Sequence, residues 1–450
     1  MESIVFLKLK KFINFTVFSI IFNFSVSGCF SSQKPNLANN HNLKIGLWNI
    51  ANYQENDHDP YSSERAKVLS DILFHTNLDL LVVVEPTYHN VNGFNLLIKH
   101  LNKNVGYHKY QAIISLPSVS KKPKLKRVSL AERYGFIYNK NKLKLNLSPY
   151  QQTPADFSQF ENSNSPFDQN GSQLLNDTGN RNVLFFQEDD QQTYYYTRAP
   201  GAVQWTDLVN NKTFVTIAAH FSSPGAKVSQ DEKPFDPKTV DSSKIKWFNW
   251  LHKTSSQLGS NEAYDALKIP QVVSYFSQVF SEQNLFFMAD TNIKYRDNFL
   301  FQPAIASGLK NLYPLKTNEL ELKTSYDQER GPNQFRTTLS SADRINQYAN
   351  QYDKIWYQTN QYQINHWKRF NLWSLYYDLT NDFMKKEDKE KIAALSYPEF
   401  DYYTKVVLDQ IYTKKIDRKL NLENKQKLLN TSLKEIVSDH TMIYFEMQLK

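Results

Sequence analysis

Cysteine is almost missing from this chain: Cys29 is the only one in 450 residues. That excludes an internal disulfide and argues against a thiolate-ligated metal site, both of which need several thiols. Long hydrophobic runs are also missing once about the first thirty residues are set aside, so a multi-span membrane protein is excluded. With 40% hydrophobic and 22% charged residues the bulk of the chain is globular rather than disordered. No segment repeats, which sets aside solenoids and propellers. Charge of one sign is in modest excess, at a formal +8. Such a balance tolerates a polyanionic substrate without requiring one, because a lysine-rich solvated surface gives the same sum.

The first residues carry a basic patch (Lys8, Lys10, Lys11), an apolar run from Phe12 to Phe24, and then Val26-Ser27-Gly28-Cys29. This resembles a bacterial lipoprotein signal. An apolar core of that length suits a cleaved secretion signal better than a permanent span, and small residues before Cys29 let a peptidase reach the backbone. The expectation is a signal peptide over 1–28, an acylated Cys29 with a flexible tether over 29–43, and one domain over 44–450 held on the extracellular face of the cell membrane. The alternative is an uncleaved N-terminal anchor with a chance cysteine, which also leaves the remainder outside the bilayer.

Downstream, Lys44 to Ile50 reads as a buried strand, and Ser63 to Thr76 puts Ala66, Leu69 and Leu73 on one helical face. Asp79 to Glu85 is a short apolar strand stopped by Pro86, and helical spacing resumes over Phe94 to Leu101. Further strands are expected at Tyr134 to Tyr138, Tyr194 to Arg198, Thr213 to Ala219, Leu285 to Met288, Lys354 to Tyr357 and Met442 to Met447. The alternation predicts a layered α/β fold with its site along one rim of the sheets. Residues 141–192, crowded with Asn, Gln, Ser and Asp, read as a loop insertion, and 370–434 as a mainly helical one.

Many strands run into a polar residue. Asn49 follows L-W, Glu85 follows V-V-V, Glu132 precedes R-Y-G-F-I-Y, His220 follows I-A-A, Asp290 and Asn292 stand in M-A-D-T-N, Asp353 in Y-D-K-I-W, and Asp439-His440 in S-D-H-T. Each alone is better explained as a turn former, a helix cap or a core histidine. Together they supply complementary chemistry that a common sheet rim could gather.

In order and wording these motifs resemble the endonuclease/exonuclease/phosphatase superfamily, the deoxyribonuclease I-like fold, over most of the span from Lys44 to Met447. The resemblance implies a four-layer α/β/β/α sandwich with two packed mixed β-sheets. It implies that Glu85 binds a divalent metal with Asn49 and Asp439 close by, and that Asp290 and Asn292 orient water and phosphate. His220 and His440 become a histidine pair held by Glu132 and Asp353 respectively, and Arg198, in Y-T-R-A-P, a phosphate contact. The metal implied is Mg2+, with Ca2+ or Mn2+ as alternatives. A hard cation prefers carboxylate, amide and water oxygens, which this set offers without cysteine. Phosphodiester hydrolysis also needs a base and an acid, and two imidazoles supply both.

Ala51 stands where abasic-site endonucleases carry an acidic residue, and Thr87 where pancreatic-type nucleases carry an arginine. With its leader, the chain is most similar to mycoplasma membrane nuclease lipoproteins. The expected activity is hydrolysis of DNA, and of RNA as a second substrate, for nucleotide scavenging, with nucleic acid and the membrane as partners and no protein partner. Two other readings stand beside it. One is a sphingomyelinase-type phospholipid phosphodiesterase, for which Trp247, Phe248 and Trp250 are candidates for a lipid-entering hairpin although that spacing more often marks one buried helical face; the other is a non-enzymatic surface adhesin.

Overall fold

The computed structural model describes residues 42–51, 62–86, 91–118, 132–149, 180–187, 196–222, 225, 234–236, 258–312, 330–339, 347–376, 427, 430–431 and 433–450. Cys29 and the leader, Thr87, the 247–250 aromatics and most of the two expected insertions lie outside them.

Two mixed sheets form the centre. The first contains β1 (Asn42–Asn49), β2 (Leu80–Val84), β3 (Tyr110–Ile114), β4 (Tyr134–Asn139), β12 (Tyr362–Arg369) and β13 (Ile443–Leu449), in the order β12-β13-β1-β2-β4-β3. The second contains β5 (Leu143–Leu145), β7 (Gly201–Asp207), β8 (Lys212–His220), β9 (Leu285–Asp290), β10 (Lys310–Asn311) and β11 (Asp353–Gln358), in the order β10-β11-β9-β8-β7-β5, with β6 (Leu184–Phe185) also on β7. Each sheet has one parallel pair at its middle, β1 with β2 and β8 with β9. A parallel pair needs a crossover. The helix α1 (Ser62–Thr76) lies in the first crossover, and α3 (Ser260–Leu267) and α4 (Ile269–Phe280) in the second.

Three apolar layers hold the stack together. Leu43, Ile45, Leu47, Val82 and Val84 of the first sheet meet Trp205, Phe214, Ala218, Phe286 and Met288 of the second in a core between the sheets. The opposite faces of the same strands, through Trp48, Leu81 and Val83, pack on α1 and α2 (Asn92–Val105). On the far side, Val215, Ile217 and Phe287 pack on Val272, Val273 and Phe276 of α4. Strands buried on both faces lose the apolar–polar alternation of a surface strand and read as continuous apolar runs, as L-L-V-V-V does. The result is the expected four-layer α/β/β/α sandwich. Gly135 of β4 lets α2 sit close, since a Cβ there would come 2.8 Å from the Phe94 ring.

Some expectations shift. The residues of Tyr194–Arg198 that are described, 196–198, form a bend, and the strand is Gly201–Asp207. Arg198 turns its side chain onto Glu132 and onto the Phe221 carbonyl instead of continuing a ladder. The stretch beginning at 141 is not all loop: Leu143–Leu145 and Leu184–Phe185 both pair with β7. Residues Leu372–Tyr376, at the start of the second insertion, form a 3-10 turn. Among the described residues, no helix is long and apolar enough to cross a membrane.

Candidate active site

Strand direction gathers the polar residues. β1, β2, β8 and β9 all run toward one rim, where they end at Asn49, just before Glu85, at His220 and at Asp290. Antiparallel strands start from that same rim, and so Glu132 stands before β4, Arg198 before β7, Asp353 opens β11 and His440 precedes β13. Register fixes neighbours across the second sheet: His220 is level with Asp290, and Asp290 with Asp353. The two sheets meet where the Asn49 amide donates to Asp290 Oδ2 at 2.9 Å.

Two carboxylate–histidine pairs flank Asp290. His220 Nδ1 lies 2.6 Å from Glu132 Oε1, and His440 Nδ1 lies 2.8 Å from Asp353 Oδ2. In both rings Nδ1 faces a carboxylate and Nε2 faces the centre, at 3.7 Å (His220) and 3.5 Å (His440) from Asp290 Oδ2. Burial and Arg198 depress the His220 pKa, but Glu132 and Glu85 outweigh them and lift it above the ordinary imidazole value. At His440 burial is outweighed by Asp353, Asp290 and Asp439, and the pKa stands well above that value. Burial also opposes ionisation of Asp290, yet His440, His220, Asn49 and the Asn292 N–H hold it below the ordinary carboxylate range. Glu132 is held down in the same sense by His220 and Arg198, whose Nε sits 2.5 Å from Oε2.

The backbone of the rim is strained. Among the described residues, Ala51, Glu85 and Asn292 take positive φ (51°, 52° and 54°) although none is glycine. Such conformations cost about 1–3 kcal/mol each and persist where surrounding bonds over-determine them. Here Asn49 Oδ1 accepts the Ala51 N–H at 2.8 Å and Asp290 Oδ1 the Asn292 N–H at 3.1 Å. The Asn292 amide reaches the Phe221 carbonyl (3.2 Å) and lies 3.3 Å from His220 Nε2.

Glu85 is the most open of the carboxylates, with 19% of its side chain exposed. Burial raises its pKa, His220 opposes, and Glu132 and Asp290 add to the rise by like-charge repulsion. Glu85, Glu132 and His220 bring ligand atoms within 4.8 Å of one another, as do Asp290, Asp353 and His440. A crowd of carboxylates with one edge open to solvent fits a hard divalent cation, which would relieve the repulsion through oxygen ligands. Asn49, level with Val84 on the neighbouring strand, stands beside Glu85 at this edge. Asp439 acts on His440 by charge and its carbonyl accepts the Leu339 N–H at 2.6 Å. Among the described residues, no hydrogen bond or ion pair joins its carboxylate to Glu85 or Asn49.

Several supporting residues carry no sequence signal. The Ser438 hydroxyl donates to the Asn49 carbonyl (2.7 Å) and accepts the His440 N–H (3.0 Å), and the Trp48 indole donates to the His440 carbonyl (3.0 Å). Lys354 follows Asp353 and points to the other face of β11. It is fully buried, with Nζ donating to Thr291 Oγ1 (2.9 Å), to the Ile293 carbonyl (2.7 Å) and to the Gln351 carbonyl. Burial pushes its pKa down to about 7 against the pull of Asp290, Asp353 and Asp297. These bonds clamp the turn that presents Asp290 and Asn292. Lys354→Met leaves the acceptors without a donor and is expected to cost about 2–4 kcal/mol of stability. Activity should fall mainly in kcat; thermal melting and steady-state kinetics check both.

No family model matches the chain, and no curated protein does. Solved structures do match, and they include endonuclease/exonuclease/phosphatase family proteins. The chain is similar to the endonuclease/exonuclease/phosphatase from Bacteroides vulgatus at 11% identity, with 91% of this chain and 100% of that chain covered and a TM-score of 0.43. It is similar to the human Nocturnin catalytic domain with bound sulfate anion at 11% identity, 91% and 95% coverage and a TM-score of 0.40. It is also similar to D. rerio TDP2 complexed with single strand DNA product, at 12% identity, 90% and 99% coverage and a TM-score of 0.39.

Proposed function

We propose that this chain is a divalent-metal-dependent phosphodiesterase that cuts nucleic acid at a cell surface. The observation that carries the reading is the pair of carboxylate-held histidines converging on Asp290 from two sides. Hydrolysis of a phosphodiester requires a proton taken from water and a proton given to the departing alkoxide. With Nδ1 fixed by Glu132 or Asp353, each imidazole keeps Nε2 for that exchange. His440 serves as the base and His220 as the acid, and Asp290 and Asn292 orient the water and the phosphate between them. Mg2+ held by Glu85 beside Asn49, or Ca2+ or Mn2+ in its place, would supply positive charge to the phosphoryl oxygens. Arg198, engaged with Glu132, keeps that carboxylate ionised and stands close enough to His220 to depress it.

Nucleic acid is the substrate favoured by the motif resemblance, and the net charge of +8 is compatible with it. The leader ending at Cys29 supports a lipid-anchored, extracellular enzyme that scavenges nucleotides, as in the mycoplasma membrane nucleases. The test is degradation of closed circular DNA, linear DNA, RNA and sphingomyelin vesicles with Mg2+ or chelator, beside His220→Ala. Metal-dependent cutting of nucleic acid, lost in the variant, is the expected result. Turnover of sphingomyelin alone would move the substrate to lipid, and no turnover of any substrate would overturn the enzyme reading.

A further inference from the structure

The strand directions that build the catalytic rim also define an opposite pole. β1 begins there at Asn42, about 23 Å from Asn49 at 3.3 Å per residue. The α1–β2, α2–β3, β4–β5, β7–β8, α4–β9 and β11–β12 connections turn at that pole, and β13 ends there. Large apolar side chains stand exposed on it. The β7–β8 hairpin tip presents Leu208 (45%) and Val209 (55%), and the α2–β3 turn presents Tyr107 (55%). Phe74, in the last turn of α1, is exposed on the same side. Turn positions are where polar residues are ordinarily expected, so a hairpin tip reading Leu-Val is unusual.

Among the described residues, the exposed charged side chains around these apolar ones have one sign. Lys140, Lys212 and Lys310 are exposed at this end. The side-chain carboxylates of Asp79, Asp207 and Glu282, on or beside the same connections, are buried. Asp79 is taken up by Lys142 at 2.9 Å, and Glu282 by the Asn284 N–H and amide at 2.9 and 2.8 Å. Lysines interspersed with exposed apolar tips match an anionic bilayer, which attracts the charge and accepts the side chains at its interface. A nucleic acid would use the lysines but has no use for Leu208 and Val209.

We infer that this pole is a lipid-facing surface for an anionic membrane, and that the catalytic rim therefore faces away from the bilayer. Two observations support that occupant: the charge complementarity, and the entry of the chain at Asn42 on this same end, downstream of the apolar run Phe12 to Phe24. The orientation rests on the reading that the substrate is nucleic acid, since a phospholipid substrate would need the rim to face the bilayer. It accounts for a substrate that arrives from water instead of from the membrane.

The test uses the full chain with Cys29→Ser, so that one introduced cysteine carries an environment-sensitive dye. Leu208→Cys labels the pole, and Asn92→Cys, an exposed position at the start of α2 on the rim side, labels the other end. On vesicles of phosphatidylcholine with phosphatidylglycerol, the Leu208→Cys dye should shift to the blue and be quenched by lipid-borne nitroxide, and the Asn92→Cys dye should not. Combining Lys140→Glu, Lys212→Glu and Lys310→Glu should weaken that quenching by about tenfold or more, even where the leader still holds the chain on the vesicle. Equal quenching at both sites, quenching untouched by the triple variant, or a blue shift produced by duplex DNA instead of vesicles would each overturn the inference.

Discussion

Replacing His440 with alanine is expected to lower kcat/KM for phosphodiester cleavage about a thousandfold, the middle of the range for losing a positioned general base. Asp353→Asn should cost less and should do something His440→Ala cannot: move the acid limb of the pH–rate profile. In the intact site the base form of His440 exists only above a pKa that Asp353, Asp290 and Asp439 have raised well past the ordinary imidazole value. Without the Asp353 charge, burial is less opposed and the limb should slide to lower pH. Kinetics from pH 5 to 10 would show it, and an unmoved limb in Asp353→Asn would sink the assignment of His440 as the titrating base. Stability carries the same signature with a definite sign. A histidine whose folded pKa exceeds its unfolded one stabilises fully below about pH 6.5 and loses that contribution as pH rises through the folded value. The alkaline decline in melting temperature should therefore be shallower in His440→Ala.

The readable part of this protein was the part buried on both faces. K-I-G-L-W-N, L-L-V-V-V and L-F-F-M-A-D are near-continuous apolar stretches stopped by a polar side chain, and they became β1, β2 and β9. β7 lies downstream of the segment its pattern suggests because G-A-V-Q-W-T-D mixes glycine and polar residues with apolar ones, whereas the preceding Y-Y-Y-T-R looks more strand-like. The three tyrosines gave no warning that Arg198 leaves the ladder for a carboxylate distant in sequence. Lys354 was hidden by its type, since a lysine in a strand is ordinarily a surface residue. Only register shows that Asp353 faces His440 while Lys354 faces the helical layer, over the Phe301 ring at 5.2 Å. The pairing of each histidine with its carboxylate spans 88 and 87 residues. Spacing could not supply it; motif resemblance could.

Metal removal is expected to have the largest effect of all, abolishing turnover while leaving the two histidine pairs assembled. The rim packs the carboxylates of Glu85, Glu132, Asp290 and Asp353 together, three of them fully buried. Arg198 and the histidines compensate part of this charge and hold Glu132 and Asp290 down, whereas burial leaves both Asp353 and the more open Glu85 with raised pKa values. A cation at its edge would convert that repulsion into attraction, so its binding should stabilise the fold as well as permit chemistry. The melting temperature should therefore rise with Mg2+ and return to its starting value with chelator. Glu85→Gln removes one of the crowded charges and one ligand together. That variant should melt at or above the metal-free wild type, gain little from Mg2+, and be inactive at any concentration of the ion. Acid should act in the same direction as the substitution: as pH falls, Glu85 protonates before an ordinary carboxylate would, and the Mg2+-dependent gain in melting temperature should vanish with it. A Glu85→Gln protein that still gains the full Mg2+ stabilisation would place the ion elsewhere, with Asp290, Asp353 and His440 as the other group able to take it.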